Sequence, residues 1–115
     1  MPLDRLRDVA FETLEIGARH DVPALSFGHA GDGNIHSTFL FAPDEPDQEA
    51  RADAACHELF ELALRLGGTV TGEHGIGWLK RGQLERQLGP DAYDLHLRLK
   101  QTFDPKGLLN PGKKR

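Results

Sequence analysis

The chain has 115 residues and a formal net charge of -4, which fits one modest globular domain and offers nucleic acid no basic surface. Its single cysteine, Cys56, excludes an internal disulfide framework and is expected to be a small buried side chain in a reducing compartment. No apolar run approaches the roughly 20 residues of a membrane-spanning helix, and no signal peptide is evident. These features predict a soluble, cytoplasmic protein, and the basic end Lys113, Lys114 and Arg115 is expected to be a solvated tail.

Helical spacing of apolar residues predicts two helices in the first two thirds of the chain. The first covers about residues 3–18, and its spaced residues are Leu3, Leu6, Ala10 and Leu14. The second follows a proline-rich linker at residues 43–47, ends at Gly67 and Gly68, and carries Ala52, Ala55, Leu59, Leu62 and Leu66. Both helices are expected to bury these residues.

The stretch between the two helices is typical of a β-hairpin. Asp32-Gly33 favours a two-residue type I′ turn between strands at residues 24–30 and 34–42. His29 would then face His36 on one sheet face, with β-carbons about 4.5–5.5 Å apart, so that both imidazoles could reach one ion. The alternative is that these are solvated loop histidines, which are common beside glycine turns. His20, His57 and His96 are predicted to face solvent.

A glycine-rich stretch at residues 67–77 contains a second pair of candidate residues, Glu73 and His74. Two histidines and one carboxylate are used by catalytic divalent metals, so His29, His36 and Glu73 are predicted ligands. Adjacent residues of an extended loop point in different directions, so His74 is expected to lie beside the ion and act as a base. In the alternative, His74 only packs within the glycine loop.

The remaining chain is predicted to be helical up to a punctuated end. A short charged helix covers residues 79–88, and a last helix carries Ala92, Leu95, Leu99 and Phe103. Residues 103–113 have too many turn signals for a regular element and would gain order by docking on something. Helices around a hairpin predict an α+β fold in a single domain, residues 1–115, as part of a ferredoxin-like arrangement.

Three stretches in a fixed order resemble the C-terminal part of the FAD-linked oxidases of the vanillyl-alcohol oxidase superfamily. They are GHAGDGNIH at residues 28–36, GGTVTGEHGIG at residues 67–77 and FDPKGLLNPGK at residues 103–113. The most similar branch contains the glycolate oxidase flavin subunit, D-lactate dehydrogenase and D-2-hydroxyglutarate dehydrogenase. The resemblance covers residues 24–113 and implies a cap domain over the flavin of an enzyme that oxidises a 2-hydroxy acid to the 2-oxo acid.

The resemblance also implies roles for individual residues. His29, His36 and Glu73 match ligands of a divalent metal, zinc or manganese, and His74 matches the base that accepts the hydroxyl proton. Asn110 is placed near the flavin. The FAD-binding domain that precedes this region in the family is missing from the sequence, so this chain alone is expected neither to retain FAD nor to oxidise substrate.

The implied partners are a small 2-hydroxy acid and the FAD-binding domain, with self-association through the apolar surface that this domain would cover. The complete enzyme is expected in the cytoplasm, with peripheral membrane association as an alternative. Two other interpretations stay open at this point. The chain could be a stand-alone module that binds a metal or a small acid without catalysis, or a purely structural domain.

Overall fold

The computed structural model describes residues 1–113, so Lys114 and Arg115 of the predicted tail lie outside the described residues. It consists of two compact units, Met1–Gly72 and Glu73–Arg115. Over the described range, two strands form one antiparallel sheet accompanied by four α-helices, which confirms the predicted α+β class. In chain order the elements are α1 (Leu6–Arg19), β1 (Ala24–His29), β2 (Asn34–Phe39), α2 (Pro46–Arg65), α3 (Leu84–Leu88) and α4 (Pro90–Phe103).

The first unit has a core formed by α1, α2 and one face of the hairpin. Its buried residues are Val9, Ile16, Val22, Phe39, Ala52, Ala55, Leu59 and Leu62. The sequence-predicted stripe of α2 is therefore confirmed, with Leu66 packed at its edge. The helix ends as predicted, because Gly67 takes a left-handed φ of 75° and the Gly68 amide donates to the Ala63 carbonyl.

The predicted buried face of α1 is wrong. Leu3, in a short 3-10 turn before α1, and Leu14 are 59% and 50% exposed. The helix buries Val9, Thr13, Ile16 and Gly17 instead. Both sets of residues have helical spacing. Because the buried set includes a threonine, a pattern based on apolar residues alone selected the other set.

The predicted hairpin exists, but its turn and register differ from the prediction. Phe27 is directly opposite His36, and His29 is opposite Asn34, so residues 30–33 form the connection. A type I′ turn needs positive φ at both central residues, and of Asp32 and Gly33 only Gly33 has it, at 74°. The Asp32 carboxylate instead accepts the Asn34 amide at 3.1 Å, which is a side-chain alternative to the two-residue turn.

The register differs by two residues, which leaves every side chain on its predicted face. One face holds Ala24 and Ile35 against the core, together with the buried Phe39. The opposite face carries Leu25, Phe27, His29, His36 and Thr38. Leu25 and Phe27 are 38% and 58% exposed, so the histidines lie on the exposed face of the sheet.

The second unit has little apolar core of its own. The predicted helix over residues 79–88 is shorter in the structure: a 3-10 turn, Arg81–Gln83, leads into α3, and Leu79 is 85% exposed. Pro90 begins α4, as prolines often do in a first helical turn. No residue of α4 is buried. Three of its four residues with the predicted helical spacing form an exposed apolar surface, the α4 apolar face, which consists of Leu95, Leu99 and Phe103, exposed to 49%, 49% and 80%.

The C-terminal segment is ordered by its own Asp104. This buried carboxylate accepts the amides of Leu108 and Leu109 at 2.9 and 2.8 Å. The Lys100 ammonium contacts the same carboxylate and donates to the Leu109 carbonyl at 2.7 Å. Lys100 holds the pKa of Asp104 below its ordinary value, since the hydrogen bond favours the charged form. The segment was expected to gain order by docking on something, and the structure supplies these contacts from within the chain.

Two smaller predictions also need correction. His20 is not a simple solvent-facing residue, because its Nε2 lies 2.7 Å from the Glu58 carboxylate. Arg19 bonds the same carboxylate at 2.5 Å and holds the pKa of Glu58 below its ordinary value. Cys56 is only partly buried, at the edge of the core. Among the described residues, no helix has both the length and the apolar character needed to cross a membrane.

Candidate metal centre

His29 and His36 lie side by side on the exposed face of the hairpin. Their ring centroids are 5.9 Å apart and the rings meet edge to face at 82°. One ligand nitrogen of each ring lies within 4.8 Å of the other. Two imidazole nitrogens on one tetrahedral zinc are roughly 3.3 Å apart, given bonds of about 2.0–2.1 Å. A small side-chain rotation therefore brings both nitrogens onto one ion, so the pair fits a divalent metal.

Two glycines allow close packing next to the pair. A β-carbon on Gly28, between Phe27 and His29, would lie 2.3 Å from the Asn34 carbonyl oxygen. A β-carbon on Gly72 would lie 2.3 Å from the Asn34 side-chain oxygen. A larger residue at Gly28 would push β1 away from the strand that carries His36, whereas one at Gly72 would displace the Asn34 side chain.

The charge of the hairpin suits a cation. Residues 21–50 contain no lysine or arginine, whereas the turn between the strands contains Asp32. A divalent ion at the two histidines therefore meets no repelling side chain from this part of the sequence.

Glu73 and His74, in the second unit, are in contact with each other. The Glu73 Oε1 and His74 Nε2 atoms are 3.1 Å apart, and the side chains are 48% and 72% exposed. The prediction that these side chains diverge is wrong, because residues 72–74 bend and do not continue as an extended strand. An ionised carboxylate can only accept, so for a neutral ring this contact favours the tautomer that carries the proton on Nε2.

Asn110 lies in a turn of the second unit, where it has a left-handed φ of 48° that asparagine tolerates. Its carbonyl accepts the Lys113 amide at 3.0 Å. Arg81 stacks over the Trp78 ring at 3.7 Å and points one nitrogen at the Gly112 carbonyl, 3.5 Å away. Sequence analysis missed this support for the turn. The available signal was an aromatic residue three positions before an arginine, a spacing that lets the two side chains meet within one turn.

Comparison with known proteins gives one family over nearly the whole chain. Residues 1–114 match the family model described as FAD linked oxidases, C-terminal domain. The chain is 41% identical over 113 residues to the glycolate oxidase subunit GlcD of Bacillus subtilis, covering 98% of this chain and 24% of that protein. It is 37% identical over 113 residues to a probable mitochondrial D-lactate dehydrogenase of Danio rerio, covering 98% of this chain and 23% of that protein.

A third relative is similar over a shorter range. The glycolate oxidase subunit GlcD of Escherichia coli strain K12 is 41% identical over 98 residues, covering 85% of this chain and 20% of that protein. The chain thus spans about a quarter or less of the length of all three relatives.

Proposed function

Because the chain belongs to the family of FAD-linked oxidase C-terminal domains, we propose that it is the substrate- and metal-binding part of a flavin-dependent dehydrogenase. The reaction is the oxidation of a 2-hydroxy acid to the 2-oxo acid. The relatives named glycolate oxidase and D-lactate dehydrogenase support a small substrate of this class. The observation that carries the proposal is the pair of histidines, His29 and His36, on an exposed sheet face that contributes no competing cation.

The proposed metal, zinc or manganese, is held by His29, His36 and Glu73. Two neutral imidazoles and one carboxylate are a suitable donor set that leaves positions for a substrate. Glu73 supplies the carboxylate of this proposed donor set. The bound ion would orient the hydroxyl and carboxylate oxygens of the substrate and lower the pKa of that hydroxyl.

In this mechanism His74 accepts the proton of the substrate hydroxyl. Its Nδ1 is the accepting atom, since Glu73 fixes the proton of the tautomer on Nε2. A bound flavin would supply the acceptor for the hydride of C2, and removal of the hydroxyl proton by His74 lets the C2–O bond become the carbonyl of the 2-oxo acid. A carboxylate has two oxygens, so Glu73 can both orient His74 and ligate the metal.

FAD itself is held mainly by a domain that this sequence does not contain, as the length of the relatives supports. We place Asn110 and its turn at the flavin side of the pocket. The α4 apolar face is the surface on which that domain docks, because it exposes three large apolar side chains of one helix. The chain alone therefore neither retains FAD nor oxidises substrate, and its open surface favours self-association.

Zinc titration of the untagged 115-residue chain by calorimetry tests the metal site. We expect one ion per chain at neutral pH, and weaker binding in acid, because an imidazole must be deprotonated to ligate. His29→Ala and His36→Ala should each weaken binding by about tenfold or more. His57→Ala is the matched control, since this α2 side chain is 58% exposed in the same unit. Absence of binding, or equal binding by all variants, would contradict the proposed metal site.

A further inference from the structure

Three rings contact one another on the exposed face of the hairpin. The Phe27 and His36 rings are stacked, with centroids 5.2 Å apart and planes inclined by 22°. The His29 and His36 rings meet edge to face, with centroids 5.9 Å apart. His36 therefore makes one flat contact and one perpendicular contact with rings of β1.

Phe27 has no evident role in the core. It is 58% exposed, and it lies on the sheet face opposite the one that α1 and α2 cover. Its position follows from the register, which pairs it directly with His36. An aromatic side chain at such a pair can stack on the opposite ring without bending the strands.

Stacking by Phe27 does not itself cover the metal-binding edge of the imidazole. A metal approaches a ring nitrogen in the plane of the ring, whereas Phe27 covers the flat side. The contact therefore restricts rotation of the His36 side chain without competing for its nitrogens. A ligand that is already oriented loses less rotational freedom when the ion binds, which raises affinity.

We propose that Phe27 is a positioning residue, which holds the His36 imidazole in its metal-binding orientation by stacking on it. This inference rests on the proposed metal site. The residue touches neither metal nor substrate in this role and acts only through His36.

The test is zinc affinity of the full 115-residue chain, measured by competition with a chromophoric chelator. Phe27→Ala should bind about two- to tenfold more weakly, as expected when one aromatic pair is lost. Phe27→Tyr keeps the stack and should bind within about twofold of the parent chain. Phe11→Ala is the matched control, because Phe11 is also 58% exposed, lies in the same unit and has the Arg7 guanidinium over its ring.

A second readout needs no metal. Side-chain NMR couplings of His36 in the metal-free chain should report one dominant rotamer. In Phe27→Ala the couplings should be averaged over several rotamers, while the thermal midpoint of unfolding stays unchanged. The proposal is overturned if Phe27→Ala binds zinc like the parent chain, or if Phe11→Ala weakens binding equally. If the parent chain takes up no zinc, the metal site is wrong and this proposal falls with it. If the parent chain and Phe27→Ala both bind zinc tightly, the role of Phe27 is refuted but the metal site is not.

Discussion

Thr13 of α1 and Ser37 of β2 share a hydroxyl–hydroxyl hydrogen bond of 3.0 Å beneath the strand that carries His36. The direction of the bond can be assigned. The Val9 carbonyl can only accept, so Thr13 donates its one proton there, at 2.7 Å. Ser37 must then donate to Thr13, and Ser26 to Ser37 at 3.2 Å. This chain of hydroxyls fixes the hairpin on α1.

We expect Thr13→Val to lower the free energy of unfolding by about 1–3 kcal/mol, because Thr13 is fully buried and Ser37 would lose its acceptor. Urea unfolding followed by circular dichroism measures the change. Thr102→Val is the control, since Thr102 makes the same type of bond to the Arg98 carbonyl on an exposed helix. Its effect should stay within about 0.5 kcal/mol. Equal losses in both variants would contradict the structural role of the hydroxyl chain.

Thr13 also shows which part of the fold the sequence could predict. Spacing correctly located α1 and α2, and the stripe Ala52, Ala55, Leu59 and Leu62 was correct because all four residues are apolar. In α1 the buried stripe includes Thr13, whose hydroxyl donates to the Val9 carbonyl of the same helix and accepts from Ser37 of β2. Only the tertiary structure supplies Ser37, so an apolar pattern alone could not favour this face.

The histidine pair was predictable for a different reason. The turn type was wrong, and the error displaced the register by two residues. Strand side chains alternate with a period of two, so His29 and His36 still share one face. The direct opposition of Phe27 and His36 was lost in that error. The opposition of Phe27 and His36 depends on the turn in which the Asp32 carboxylate accepts the Asn34 amide. This turn is one of several geometries that Asp-Gly allows.

Asp104→Asn should loosen the C-terminal segment. An asparagine side chain offers one acceptor oxygen where the carboxylate has two, so either Leu108 or Leu109 loses its acceptor. Hydrogen exchange at that amide should be faster by roughly tenfold. Asp94→Asn is the control, because its ion pair with Arg98 is largely exposed and contributes little. Unchanged exchange in Asp104→Asn would show that other contacts order the segment.

The same carboxylate predicts a pH dependence. Lys100 lowers the pKa of folded Asp104 below its ordinary value of 3.8, so the stabilisation is fully present above that value. It is lost as the pH falls through the lower pKa of the folded state. As the pH rises from strongly acidic values to about pH 4, the amides of Leu108 and Leu109 should therefore become more protected from hydrogen exchange. This change comes in addition to the intrinsic pH dependence of exchange.

The α4 apolar face should drive self-association of the isolated chain. Leu99→Glu and Phe103→Glu place a charge on this face, so sedimentation velocity should show less association at high protein concentration. Gln101→Glu is the control, since it adds the same charge at an exposed neighbouring position of the helix. Association that is insensitive to the first two variants would place the contact elsewhere.

Glu73 and His74 should separate metal binding from proton transfer in the flavin-loaded enzyme. His74→Ala is expected to keep nearly full metal content while kcat falls by about 10²- to 10⁴-fold, the usual contribution of a general base. Glu73→Ala should lose metal and activity together, because it removes a ligand and also the partner that orients His74. If His74→Ala loses the metal and Glu73→Ala retains it, the ligand and base roles of the two residues must be exchanged.

The most direct test of the central claim is zinc K-edge X-ray absorption of the chain loaded with one equivalent of zinc. The proposed site predicts two imidazole ligands at about 2.0–2.1 Å, with oxygen as the remaining neighbours. His36→Ala should remove one imidazole from the spectrum. A sulfur neighbour at about 2.3 Å, which would come from Cys56, or a spectrum without imidazole scattering would contradict a metal centre at His29 and His36.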